Sequence, residues 1–232
     1  MMNQPLTLNC DMGESFGPWK MGNDDGIMPL IDAANIACGG HAGDPSTMRQ
    51  CVALARKHDT EIGAHVAYPD KEGFGRRAMD IRGQALIDLV HYQVGALDGI
   101  ARAQSRRVTY IKPHGALYHA ILTDPDLMND IMRAAASWHA DLELVVLATP
   151  RDRKTVQLAV EHGLNLRYEA FADRGYTTRG LLLSRDKPGA VLTPEEAAKQ
   201  AAAITQNKLK TAKGKPIPVK AHTFCLHRHP PK

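Results

Sequence analysis

Short apolar runs alternate with longer amphipathic stretches along the whole chain, and this alternation limits the possible folds more than any other feature. Strand-like runs fall at 6–10, 33–38, 61–65, 108–112, 142–148, 166–170 and 219–226. Helix-compatible stretches fall at 45–58, 82–105, 126–139, 151–162 and 195–207. Asp44 before Pro45, Thr123-Asp124 before Pro125 and Thr193 before Pro194 are helix-start signals, with a side-chain acceptor just ahead of a proline. Within 82–105, Leu86, Leu89, Val90, Val94, Leu97 and Ala101 recur at helical spacing. Parallel strands need long crossovers, usually helical, so the alternation predicts a parallel α/β sheet.

An open doubly wound sheet and a closed barrel both satisfy that pattern. No G-x-G-x-x-G or G-x-x-x-x-G-K-[ST] loop follows any strand. Polar residues follow almost every strand, and in a barrel all those strand ends meet at one mouth. A barrel is therefore the preferred expectation. No segment has linker composition, so one domain spanning residues 1–232 is expected.

The formal charge of +4 is too mild to argue for nucleic acid. Lys208, Lys210, Lys213, Lys215 and Lys220 crowd one stretch, which reads as a solvated loop. No stretch approaches the roughly 20 apolar residues of a membrane span. Residues 1–8 hold no charged n-region or apolar run of a signal peptide. Cys10, Cys38, Cys51 and Cys225 show no C-x-x-C spacing and are expected to be reduced, mostly buried thiols. A cytoplasmic protein without membrane or nucleic-acid partners is the expectation.

The strand ends carry the chemistry. The first runs into Asn9-Cys10-Asp11-Met12-Gly13-Glu14 and the second into Cys38-Gly39-Gly40-His41-Ala42-Gly43-Asp44. The third runs into Gly63-Ala64-His65 and later Phe74-Gly75-Arg76. The fourth gives Lys112-Pro113-His114-Gly115, the sixth Phe171-Ala172-Asp173-Arg174-Gly175-Tyr176, and the last His227. A lone histidine at a strand end is more often a hydrogen-bonded structural residue than a ligand. Titratable groups recurring at the same end of six strands, bracketed by glycines, instead indicate one shared pocket.

Asp11, His41 and His65 suit either a divalent-metal site or a general-base cluster, and no local metal motif decides between them. Lys112 suits an oxyanion or a phosphorylated intermediate, or else a salt bridge across the mouth. Asp173 and Arg174 suit the two ends of a small zwitterion, or an ion pair that shapes the loop. No G-x-S-x-G elbow supports a serine nucleophile.

Together these motifs, with Ala34-Asn35-Ile36-Ala37 and Pro69-Asp70, resemble the LamB/YcsF family from about Leu6 to His227. The resemblance implies a seven-stranded TIM-like (β/α) barrel variant, similar to polysaccharide deacetylase barrels. It implies ATP-dependent 5-oxoprolinase activity, hydrolysing 5-oxo-L-proline to L-glutamate together with two further subunits, B and C. Those partners would phosphorylate the lactam oxygen, and this chain would then add water. Candidate catalytic residues are Asp11, His41, His65, Lys112 and His114. Candidate substrate-binding residues are Asn9, Glu14, Arg76, Asp173, Arg174 and Tyr176. A possible divalent metal would take Asp11, His41 and His65.

The family continues His-Gly-Asp after the last strand and adds a helix, whereas here Arg228-His229-Pro230-Pro231-Lys232 follows His227. This atypical tail, from about residue 228, leads to the expectation of lowered stability, or of a partner or second copy covering that edge. Two other functions fit the residues: a metal-dependent deacetylase-like hydrolase of an amide or carbohydrate, and a non-catalytic binding protein.

Overall fold

The computed structural model describes residues 6–150 and 152–226. Seven parallel strands close into a barrel in sequence order: β1 (Thr7–Met12), β2 (Ala33–Ala37), β3 (Glu61–Val66), β4 (Tyr110–Pro113), β5 (Glu143–Leu147), β6 (Asn165–Phe171) and β7 (Thr223–Cys225). Closure comes from β7 pairing with β1, Thr7 opposite Thr223 and Asn9 opposite Cys225. The expected barrel is thus observed and the open sheet is excluded. His227 and the tail from residue 228 lie outside the described residues, as does Arg151, the expected start of one helix.

The helices are α1 (Asp24–Ile27), α2 (Pro45–Lys57), α3 (Gly83–Arg102), α4 (Gly115–Thr123), α5 (Pro125–Ala136), α6 (Arg153–Glu161) and α7 (Pro194–Thr205). Their starts follow the sequence signals. Asp44 accepts from the Thr47 N–H, Asp124 from those of Asp126 and Leu127, and Thr193 forms a capping box with Glu196. On α3, Leu86, Val90, Val94, Leu97 and Ala101 are buried in the apolar core. Burying each large aliphatic side chain stabilises by about 1.5–3 kcal/mol. Met28–Leu30 forms a single 3-10 turn after α1.

Strand alternation sorts the residues into two environments. Cys10, Met12, Ala34, Ile36, Ile62, Ala64, Val66, Ile111, Leu144 and Val146 point outward into the helix-covered apolar core. The other set points inward and is largely polar. Tyr110 donates from its hydroxyl to Asn35 Oδ1 (2.7 Å) across the barrel. Its ring fills the space beside Gly63, where a Cβ would sit 2.0 Å from a ring carbon, so only glycine fits. At the N-terminal end of the strands, Arg167 is bracketed by Glu61 (2.7 Å) and Glu143 and closes the floor.

Candidate active site

At the C-terminal ends of the strands a cavity of about 460 Å³ opens. Asp11, Glu14, His65, Arg76, Lys112, His114, Arg174 and Arg185 are among the residues lining it. The strand register brings the deepest of these together, with Asp11 opposite Asn35 and His65 opposite Lys112. Asp11 and Lys112 therefore meet although they lie 101 positions apart in the chain.

Lys112 is 2% exposed, and its ammonium lies 3.1 Å from Asp11 Oδ1, 2.9 Å from Glu169 Oε1 and 3.1 Å from Asn9 Oδ1. Burial alone would drive off its proton. Asp11 first, and further groups including Glu169, override that and hold its pKa well above the ordinary lysine value. Tyr118 donates to the other Glu169 oxygen (3.1 Å), and Asn35 donates to Asp11 Oδ1 (2.9 Å). One oxygen of Asp11 is thus fixed, and the other faces His65 Nε2 at 3.3 Å.

The three histidines form one block. His41 and His114 stack with ring centroids 3.7 Å apart, and His65 stands edge-on to both. Gly75, at φ +66°, lets the β3–α3 loop lie against this block, because a Cβ there would be 2.7 Å from His41 Cβ. His65 Nδ1 donates to the Lys112 carbonyl (3.0 Å), and His114 Nε2 donates to the Phe74 carbonyl (3.0 Å). Each carbonyl can only accept, so both protonated nitrogens are assigned. The remaining nitrogens, His65 Nε2 and His114 Nδ1, face one another at 2.9 Å. Burial first, then the neighbouring imidazoles, hold His114 well below the ordinary histidine pKa, and the same two causes act on His41.

Two lone pairs cannot face each other at that distance without a cation between or beside them, either a proton or a metal ion. Glu14, His41, His65 and His114 each offer a ligand atom, all within 4.8 Å of one another, and His41 Nδ1 is buried without a hydrogen-bond partner. The donor set of imidazoles plus a carboxylate fits a divalent transition metal. It differs from the expected Asp11, His41 and His65. Glu14 and His114 join His41 and His65, while Asp11 is engaged by Lys112 and Asn35.

The other expected site residues divide. Glu14, Arg76 and Arg174 line the cavity. Asn9 lies beneath it, donating to Thr223 Oγ1 (2.9 Å) and accepting from Asn35 and Lys112. Tyr176 is 1% exposed, and its hydroxyl accepts the Phe171 N–H at 2.7 Å, a structural role. Asp173 is buried and is not among the lining residues. Arg174 donates to the carbonyls of Ala190 (2.9 Å) and Leu183 (2.6 Å), so two of its nitrogens are engaged by its own loop. Glu169, His119 and Arg185 escape a reading of the sequence. Glu169 has a signal, being a charged residue inside an apolar run, whereas Arg185 sits in a polar loop without one.

A family model described as the LamB/YcsF family matches residues 6–232. The chain belongs to the LamB/YcsF family. It is 49% identical over 224 residues to a Pseudomonas putida protein named as an A subunit of 5-oxoprolinase, covering 96% of this chain and 87% of that one. It is 48% identical over 224 residues to the A subunit of 5-oxoprolinase of Pseudomonas fluorescens, covering 96% and 90%. Among solved structures it resembles the lactam utilization protein of Thermus thermophilus, with TM-score 0.89, 38% identity, and 96% and 90% coverage.

Proposed function

We propose that this family member is the ring-opening component of an ATP-dependent 5-oxoprolinase, hydrolysing 5-oxo-L-proline to L-glutamate together with partner subunits B and C. The single observation that carries the reading is the Lys112–Asp11–His65 chain at the base of the cavity. The names of the relatives supply the substrate and imply the partner subunits.

An unstrained lactam is a poor electrophile, so ATP is consumed by the partners to phosphorylate its oxygen. This chain carries no phosphate-loop motif of its own. Water then adds to the ring carbon, losing a proton to Asp11. The C–N bond breaks as Asp11 returns that proton to the nitrogen, which leaves as the amine, and a second water displaces phosphate from the resulting acyl phosphate. Lys112 and Arg76 meet the charge on the phosphorylated oxygen. The test is glutamate formation from 5-oxoproline plus ATP, with and without the companion subunits. An Asp11→Ala chain that still turned over in the complex would remove Asp11 as the base.

A second reading is a metal-dependent amide or carbohydrate hydrolase, favoured by the facing nitrogens of His65 and His114. In either reading Glu14, His41, His65 and His114 would hold the ion, which supplies Lewis-acid polarisation of a bound oxygen. Titrating the purified protein with Co²⁺ and following the visible absorption checks this without an activity assay. Hydrolysis of an amide without ATP would favour the second reading over the first.

Among the described residues no helix is long and apolar enough to cross a membrane. All four cysteines are free and buried, which fits the reducing cytoplasm we assign. A single domain over residues 1–232 also belongs to this proposal.

A further inference from the structure

The loop between β6 and α7 is bonded mainly to itself. Leu183 N–H donates to the Gly175 carbonyl (2.9 Å), Gly175 N–H to that of Ala190 (3.1 Å) and Leu192 N–H to that of Asp173 (3.0 Å). Gln200 of α7 donates to the carbonyls of Phe171, Ala172 and Arg174. Arg174, 2% exposed, bridges the two ends of the 183–190 excursion through its bonds to Leu183 and Ala190. Within that excursion Lys187 N–H turns back to the Ser184 carbonyl (3.0 Å). The tip is thereby held so that Ser184 and Arg185 reach the cavity wall.

Arg76 lines the same cavity from the β3–α3 loop. Desolvation against the cavity wall depresses the Arg185 pKa, and the charge of Arg76 depresses it further. Burial and then the charge of Arg185 bring Arg174 down to about 10. Arg76, Arg174 and Arg185 thus all line one cavity, and their like charges oppose one another. Deeper in, the Lys112 charge is already matched by Asp11 and Glu169. The buried Asp173 opposes that repulsion at both Arg174 and Arg185, yet both stay below the ordinary arginine value, and a planar bidentate donor such as arginine suits a carboxylate.

We infer that Arg185 is a specificity-determining residue that binds the ring carboxylate of the lactam substrate, with Arg174 as the strut that positions it. This rests on the ring-opening reading, and it separates two anions. The carboxylate meets Arg185, while the phosphorylated oxygen meets Arg76 and Lys112. A chain built this way prefers lactams carrying a carboxylate next to the ring nitrogen over plain cyclic amides.

The experiment compares wild type, Arg185→Gln and Arg185→Lys in the assembled enzyme with 5-oxoproline and with uncharged 2-pyrrolidinone. Losing a charged hydrogen bond should raise KM for 5-oxoproline by roughly 10- to 100-fold with kcat within about twofold, and lysine should recover part of the loss. Any turnover of 2-pyrrolidinone should be the same in all three. Arg185 keeps an exposed face at the rim, so the thermal midpoint should not move. An unchanged KM for 5-oxoproline, or an equal loss on both lactams, overturns the assignment of Arg185 alone. An assembled wild-type enzyme that forms no glutamate overturns the ring-opening reading and this inference with it.

Discussion

The two ends of the barrel each hold a charged cluster, half-buried at the floor and buried at the mouth, yet they are built on opposite terms. At the floor, Arg167 meets Glu61 Oε1 and Oε2 at 2.8 and 2.7 Å and also pairs with Glu143. Glu61 accepts in addition from the Thr109 hydroxyl (2.6 Å), and the guanidinium lies 4.7 Å from the Tyr110 ring centre. Each charge there has a direct partner. At the mouth, two imidazole nitrogens face each other without a proton assigned between them, and a buried nitrogen of His41 has no partner. A satisfied cluster fixes a fold, whereas an unsatisfied one has affinity left for a ligand. The difference separates structural from functional charge within one barrel.

The largest expected effect breaks the mouth. Asp11→Asn keeps the shape but removes the carboxylate charge, and should lower kcat for glutamate formation by a factor on the order of 10³ or more. Folding, followed by circular dichroism, should persist. A variant with near wild-type kcat would end the assignment of Asp11.

Breaking the floor should do the reverse. Arg167→Met leaves Glu61 and Glu143 without their cation and should cost about 2–3 kcal/mol in denaturant unfolding, with kcat little changed. The same variant has a pH signature. Burial alone would raise the Glu61 pKa, but Arg167 holds it below the ordinary 4.5. A carboxylate lowered in the folded state contributes stability above its unfolded value, and this is lost as pH falls through the folded one. Wild type should therefore lose stability below about pH 4.5 more steeply than Arg167→Met. Parallel curves for the two proteins would show that the floor pair carries no such linkage.

Between the ends, Gly63→Ala forces a methyl into the Tyr110 ring and should cost about 1–3 kcal/mol, measured as a drop in thermal midpoint. It sharpens the comparison because Tyr110 touches both clusters, through Asn35 above and Arg167 below. The smallest effect is expected at the rim. Asp44 caps α2 and also accepts the Gly17 N–H (2.9 Å), tying the loop that carries Glu14 to the loop that carries His41. Asp44→Ala should cost about 1 kcal/mol of stability. Its larger consequence should be weaker Co²⁺ binding. Unchanged cobalt affinity would mean that Glu14 does not depend on this tie.

Much of the molecule is legible from the sequence by itself. Apolar period and helix caps are local properties, so the seven strands, their parallel connection and the starts of α2, α5 and α7 can be read directly. The grouping of Asp11, His65 and Lys112 follows from one rule, that parallel barrel strands all end at the same face. Errors arise where burial and pairing part company. The apolar run predicts a fourth strand from Val108, but the Val108 N–H donates to the Asp98 carboxylate, and the strand begins at Tyr110. The last run starts at Val219, but its pairing begins only at Thr223, opposite Thr7 and Glu169. Helix α4 escapes notice because it is short, opens on glycine and follows the strand directly.

What only the tertiary structure decided is who meets whom across the barrel. Residues 169 and 112 become partners through register and closure, and nothing local in either segment encodes that distance. The same holds for Tyr176 and Asn9, whose polar groups turn to structural bonds, and for Arg185, delivered to the cavity by a loop that Arg174 braces. Periodicity assigns a side chain to a face. Which charge it finds there depends on chain closure, and that is a property of the whole fold.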